Sequence, residues 1–272
     1  MQQSTRHLPA DRSIETAAVR SAGQSSSHTT RRSRKRSKAP LPASQREADS
    51  ISALWKTSGS RNQPAGNESL QVTGVDASPE AFEKYAPGKR VLHVATHGFF
   101  LQGNCESAAQ MESDPSKRDE KLLNATAENP LLLSGLAFAG ANHQSPTNAN
   151  ESDGILTAEE IAGLNLEGVD WAVLSACDTG AGEIRVGEGV FGLRRAFQVA
   201  GAKTVIMSLW PIEDETAGRW METLYQEHFV NGKSTAEAVR TASLHILRQR
   251  RAKHQSTHPF YWGAFIAAGE WQ

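Results

Sequence analysis

Residues 171–176 form a continuous apolar run, and two other short runs, 90–96 and 204–210, are dense in apolar residues. A strand with one wet face alternates apolar and polar side chains. A strand that is apolar at nearly every position needs cover on both faces, which is the condition of a central parallel strand. Helical patterns separate these runs. Pro79–Tyr85, residues 188–200 and two amphipathic stretches at about 213–230 and 235–250 read as helices, the last with Val239, Ala242, Ile246 and Leu247 on one stripe. Thr157-Ala-Glu-Glu160 and Ser234-Thr-Ala-Glu237 have capping-box spacing and mark two helix starts. Residues 47–56 are weakly helical, 69–74 form a short apolar run, and 131–139 and 261–268 are strand-like. Strands alternating with helices predict an α/β fold with a mostly parallel central sheet and helices on both faces.

The beginning of the chain has a different texture. It is rich in Ser, Arg, Thr and Gln and poor in large apolar residues, so it cannot bury enough surface to offset chain entropy. Residues 1–46 are therefore expected to be a disordered basic tail, and 47–272 the folded domain. Residues 1–50 hold ten Lys/Arg against four Asp/Glu, and the remainder carries a net −7 within a total of −1. The run Arg31-Arg-Ser-Arg-Lys-Arg-Ser-Lys38 has two readings, a solvated tail or a segment that binds nucleic acid or an acidic surface. No aromatic residue interleaves those charges, so no base-stacking platform is indicated, and nucleic acid enters only through this tail. Residues 101–129 are polar and too long for an ordinary connection, and they read as a surface insertion near the site. No run of about 18 apolar residues occurs, and no apolar segment of the secretory type opens the chain. No membrane partner is expected, and a cytoplasmic location is the default.

Two strands end on side chains capable of chemistry. His97 and Gly98 follow the first apolar run, and Cys177 and Asp178 follow the second. The carboxyl edge of an open α/β sheet is where ligands bind, and a thiol beside an imidazole is the minimal set for a cysteine hydrolase. The imidazole takes the thiol proton or stabilises the thiolate, while backbone N–H groups, naturally those of Gly98 and Cys177, receive the developing oxyanion. The opposing reading makes Cys177 an inert core thiol and His97 a strand end. Cys105, the other cysteine, lies in the polar insertion with no strand to hold it. Two cysteines at this separation form neither a disulfide framework nor a zinc site, so no metal and no cofactor is expected.

Gly187-Glu-Gly189-Val-Phe-Gly192 fits a dinucleotide-binding pattern, but residues 178–186 separate it from the strand end and Glu188 would sit beside a pyrophosphate. The bland alternative is a closely packed helix start. Ser208-Leu-Trp210-Pro-Ile-Glu213-Asp214 ends the third run. Trp210 is either a groove-lining ring or a core plug. Asp178, Glu213 and Asp214 are acids at the same edge, which suit a pocket for a basic side chain or, for Glu213 and Asp214, a helix start.

Taken in order, these segments resemble the CHAT domain family, a caspase-like cysteine peptidase group related to metacaspases and separase. The resemblance runs from about residue 69 to 272. It is carried by Leu92-His-Val-Ala-Thr-His-Gly98, Ser134-Gly-Leu-Ala-Phe-Ala-Gly-Ala-Asn142, Asp153-Gly-Ile-Leu-Thr-Ala-Glu-Glu-Ile161 and Leu174-Ser-Ala-Cys-Asp-Thr-Gly180. It continues through Gly187-Glu-Gly-Val-Phe-Gly-Leu-Arg-Arg-Ala-Phe197, Ser208-Leu-Trp-Pro-Ile-Glu-Asp214 and His258-Pro-Phe-Tyr-Trp-Gly-Ala-Phe265. The resemblance implies a caspase/haemoglobinase-like sandwich, a His97–Cys177 dyad, and cleavage of peptide bonds in a protein or peptide substrate. Family members usually carry tetratricopeptide repeats ahead of this domain. Here a low-complexity segment stands there instead, so the expectation is that the substrate-recruiting or regulatory part is absent, lost or supplied by a regulatory partner carrying such repeats. The alternative function is a non-catalytic interaction module on the same fold.

Overall fold

The structure, a computed structural model, describes residues 14–18, 42–58, 69–100, 131, 134–141, 153–175 and 188–270. In chain order the elements are β1 (Ile14–Ala18), α1 (Pro42–Ser58), β2 (Ser69–Thr73), α2 (Pro79–Tyr85), β3 (Val91–Ala95), β4 (His97–Phe100), β5 (Ser134–Ala137), β6 (Ile155–Thr157) and α3 (Ala158–Ala162). There follow β7 (Trp171–Leu174), α4 (Glu188–Val199), β8 (Thr204–Ser208), α5 (Asp214–Tyr225), α6 (Thr235–Ala252) and β9 (Phe265–Gly269). The expected insertion at 101–129 lies outside the described residues.

Six strands form the main sheet in the order β2-β1-β3-β7-β8-β9. Every neighbouring pair is parallel except the last, where β9 runs against β8. Every residue of β3, β7 and β8 is buried, as their largely apolar character requires. Alternate side chains divide between two cores. Leu92, Val94, Ala172, Leu174, Val205 and Met207 pack with Phe82, Leu136, Ile161 and Phe197 from α2, β5, α3 and α4. Val91, Trp171, Val173 and Ile206 pack with Ile51, Trp55, Trp220, Leu224 and Ile246 from α1, α5 and α6. This is the expected α/β sandwich, a mostly parallel sheet covered on both faces. A small antiparallel sheet, β4-β5-β6, continues from the carboxyl end of β3.

Both predicted capping boxes are present. Thr157 and Ser234 each accept from the backbone N–H three residues on, and Glu160 and Glu237 reach back to the cap. The stretch expected as one helix over 213–230 is instead α5 followed by a π-helical turn, Gln226–Val230. That turn brings His228 flat against Trp171 (4.1 Å, 27°) and Phe229 edge-on to both Trp171 and Trp55.

The segment expected as a disordered tail needs correction in two places. Strand β1 lies within it, paired in parallel with β2 on one side and β3 on the other. Helix α1 begins at Pro42 rather than 47. Composition misses β1 because its place is secured by two backbone ladders, which any side-chain pattern without proline can supply.

One ion cluster pins the amino edge of the sheet. Asp170, just before β7, accepts from Arg90 Nε (2.7 Å), just before β3, and from Lys203 Nζ (2.9 Å), just before β8. Partial burial works against the Asp170 carboxylate, but the hydrogen bonds from Lys203 and Arg90 outweigh it and hold its pKa below the usual value. A carboxylate so depressed contributes stability that is complete above its unfolded pKa of about 3.9 and is lost as pH falls through the folded value. Asp170→Asn should therefore cost about 1 kcal/mol at pH 7. Urea titrations from pH 7 to pH 2.5 should show that deficit closing below about pH 4.

Candidate active site

The site begins with the register of three neighbouring strands. Val94 pairs with Leu174 and Leu174 with Met207, so one rung crosses β3, β7 and β8. His97, Cys177 and Trp210 each stand three residues further along the chain from that rung. Three residues of chain span at most about 10 Å. Ser175 N–H still bonds to Val94 O (2.9 Å), so β7 stays against β3 up to the last residue described there. Cys177, Asp178 and the first glycine of the 187–192 run, Gly187, lie outside the described residues.

His97 opens β4, at the turn where the chain leaves the main sheet. The turn is fixed by Thr96, wholly buried, whose hydroxyl donates to Ala137 O. His97 then pairs with Ala137 and Gly98 with Leu136 in the antiparallel β4–β5 ladder. His97 is only 6% exposed, so its ring is held by the surrounding structure and not left to solvent. Gly98 is also buried, with its backbone beside that of His97.

Trp210 lies just past β8 and is half-buried against the α1/α5/α6 core. Its indole N–H donates to Phe260 O (2.9 Å), and its ring lies nearly parallel to that of Phe260 (6.3 Å, 12°). It thus joins the end of β8 to the 3-10 turn Pro259–Tyr261. Glu213 occupies the N-cap position of α5 without a capping bond from its side chain; its carboxylate accepts the Thr216 hydroxyl (2.7 Å) instead. Asp214 is the first residue of the helix and half-buried. Acidic charge in this first turn suits the helix dipole. Of the dinucleotide-like glycines, Gly189 and Gly192 sit inside α4, which opens at Glu188. Among the described residues no three His, Cys, Asp or Glu side chains cluster as metal ligands do.

Sequence reasoning passed over a second histidine. His93, four residues before His97 on β3, is completely buried, with Nε2 2.9 Å from Glu47 Oε1 on α1 and Nδ1 3.1 Å from the Tyr225 hydroxyl on α5. Burial, then the negative charge of Glu47, pushes the Tyr225 hydroxyl well above the usual tyrosine range. It therefore stays protonated and bonds to Nδ1, while Nε2 bonds to the Glu47 carboxylate, so both ring nitrogens are held. The available signal was a polar residue in the middle of an otherwise apolar strand, which requires buried partners.

A family model for the CHAT domain matches residues 1–270. Human tetratricopeptide repeat protein 28 is 29% identical over 231 residues, an alignment covering 85% of this chain and 8% of that protein. Its mouse counterpart is 28% identical over 115 residues, covering 42% of this chain and 4% of the relative. The chain thus spans under a tenth of the curated relatives it matches. Among solved structures, the separase–securin complex of Saccharomyces cerevisiae aligns with 97% of this chain and 12% of that chain, at a TM-score of 0.46 and 11% identity. No described helix is long and apolar enough to cross a membrane.

The buried network yields a direct stability test. Glu47→Ala leaves the buried Nε2 of His93 without its partner and should cost about 2–3 kcal/mol; Tyr225→Phe removes the hydroxyl bonded to Nδ1 and should cost about 1 kcal/mol. Urea midpoints of the two variants measure both losses.

Proposed function

We propose, from the premise that the chain belongs to the CHAT domain family, that it is a cysteine endopeptidase acting through Cys177 and His97. The observation that supports this reading most is the shared rung across β3, β7 and β8. In sequence His97 and Cys177 follow that rung by the same number of residues, beyond two adjacent parallel strands.

In this mechanism His97 takes the Cys177 thiol proton, and the thiolate sulfur attacks the scissile carbonyl carbon. The C=O pair moves onto oxygen, and the N–H groups of Gly98 and Cys177 stabilise that oxyanion. Collapse of the tetrahedral intermediate breaks the C–N bond, and the leaving amine collects the proton from His97. Water, deprotonated by the same imidazole, then attacks the thioester carbon, releasing the acid and restoring the thiol. The sequence requires no metal and no organic cofactor. Near-complete burial of His97 favours an imidazole with one fixed orientation, which general acid–base transfer needs.

Asp178, Glu213 and Asp214, with Trp210 as an adjoining wall, favour a basic side chain on the acyl side of the cleaved bond. Glu213 also has a structural role through Thr216, so it is the weakest of the three as a pocket acid. The curated relatives are named as tetratricopeptide repeat proteins and are far longer than this chain. A partner carrying repeats of that kind is our candidate for a regulatory or substrate-recruiting role. A cytoplasmic setting, where thiols stay reduced, suits a thiol nucleophile.

Incubation of wild type and Cys177→Ala with a diverse peptide library, read by mass spectrometry, tests the assignment. Wild type should cleave after a basic residue, and the variant should lose at least about 1,000-fold in rate. A thiol-reactive peptide probe should label Cys177 and leave Cys105 unmodified. Equal turnover by the variant would sink the mechanism. Absence of both cleavage and Cys177 labelling would favour the interaction module.

A further inference from the structure

The last helix and the turn after it carry a charge pattern unlike the rest of the domain. Between residues 238 and 269 there is no Asp or Glu, while Arg240, Arg248, Arg250, Arg251 and Lys253 supply five cations and His245, His254 and His258 three imidazoles. The rest of residues 51–272 holds 26 acidic side chains against 14 Lys/Arg, a net of −12. Arg240, Arg248, Arg251, Lys253 and His254 are all exposed. None of the first four has a carboxylate partner among the described residues. Cations in the last turn of a helix offset its dipole, which accounts for Arg250 and Arg251. It does not account for Arg240, three turns earlier, or for Lys253 and His254 beyond the helix end.

Apolar surface lies beside this charge. The chain reverses after α6 through His254, whose φ of 52° is a conformation that usually falls to glycine. Gln255 N–H returns to Arg250 O (2.9 Å), and Arg250 Nε donates to Ser256 O (2.6 Å). The Arg250 guanidinium then lies 4.0 Å over the Tyr261 ring. Phe260 and Tyr261 remain 48% and 40% exposed, and Phe260 lies along Trp210 at the carboxyl end of β8. The basic surface therefore runs through two exposed rings up to the edge where His97 and Trp210 stand.

We propose that this surface, built from α6 and the 3-10 turn Pro259–Tyr261, docks an acidic protein segment in which carboxylates alternate with apolar side chains. Carboxylates meet Arg248, Arg251 and Lys253, and the apolar side chains meet Phe260 and Tyr261. A nucleic acid fits less well. Arg250 already covers one face of Tyr261 and Trp210 flanks Phe260, so no free stacking ladder is presented. A long polyanion would also leave the patch and meet the net negative remainder, whereas a short acidic segment does not extend beyond it. The inference does not depend on the peptidase assignment.

Fluorescence anisotropy of the full chain with a fluorescein-labelled peptide of alternating Glu and Phe tests it, alongside a Lys/Phe peptide and an oligothymidylate. The Glu/Phe peptide should bind, weaken as salt rises, and lose about tenfold in affinity in Arg248→Glu/Arg251→Glu. Both changes lie on the exposed face of α6 and should leave the melting temperature within about 3 °C. Phe260→Ala should weaken binding by about fivefold. Replacing the six Lys/Arg of residues 31–38 by Ser should leave binding intact, which separates this surface from that basic run. The proposal is overturned if the double variant binds as wild type does, if the replacement at 31–38 alone abolishes binding, or if the oligothymidylate binds more tightly than the Glu/Phe peptide.

Discussion

Burial of β3, β7 and β8 on both faces is the constraint from which the rest follows. A strand covered above and below has no side-chain position at which a polar group is free of cost, so polar chemistry is driven to the two ends of the sheet. The ends are used differently. The amino edge is tied by Asp170 between Arg90 and Lys203, at the starts of three adjacent strands. The carboxyl edge carries His97, Trp210 and the start of the small antiparallel sheet. Pinning one end of a parallel array sets the axial register of the other, which bears on where the side chains beyond the last rung can reach.

His93 is the exception to that rule, and its partners show how the exception is tolerated. Both ring nitrogens are bonded within the core, to Glu47 from α1 and to Tyr225 from α5. Such a network adds little net stability over an apolar substitute of the same shape, but half of it is worse than none. Its structural effect is selective. A helix from early in the chain and a helix from late in the chain are matched to one position on the strand that leads to His97, and a slip of either helix would leave a buried polar atom exposed to apolar surroundings.

How much of this was legible depended on how far apart in sequence the interacting residues lie. Helix α2 was readable to the residue, and both capping boxes were readable, because every partner lies within a few positions. The buried strands were readable because continuous apolarity is a local property. Glu47 was not readable as the partner of His93, since 46 residues separate them, nor Tyr225, 132 residues away. Trp210 stayed ambiguous between groove and core because its acceptor is a backbone carbonyl 50 residues on. The G-x-G-x-x-G spacing was a weak signal for a related reason. It is a local pattern whose meaning depends on a strand ending directly before it, and here β7 and α4 are separated by residues 175–187.

Strand β1 has a consequence for the order of assembly. It is translated before every other described element, yet it fills an interior place between β2 and β3, and its parallel ladders need residues 69–73 and 91–95. It cannot complete both ladders until the chain has been made as far as β3. Until then β1, alone or paired with β2, holds an open edge, and open edges are where chains pair wrongly with one another. The earliest of the described strands therefore waits for its second neighbour, and the vulnerable interval in the life of this protein is the length of that wait.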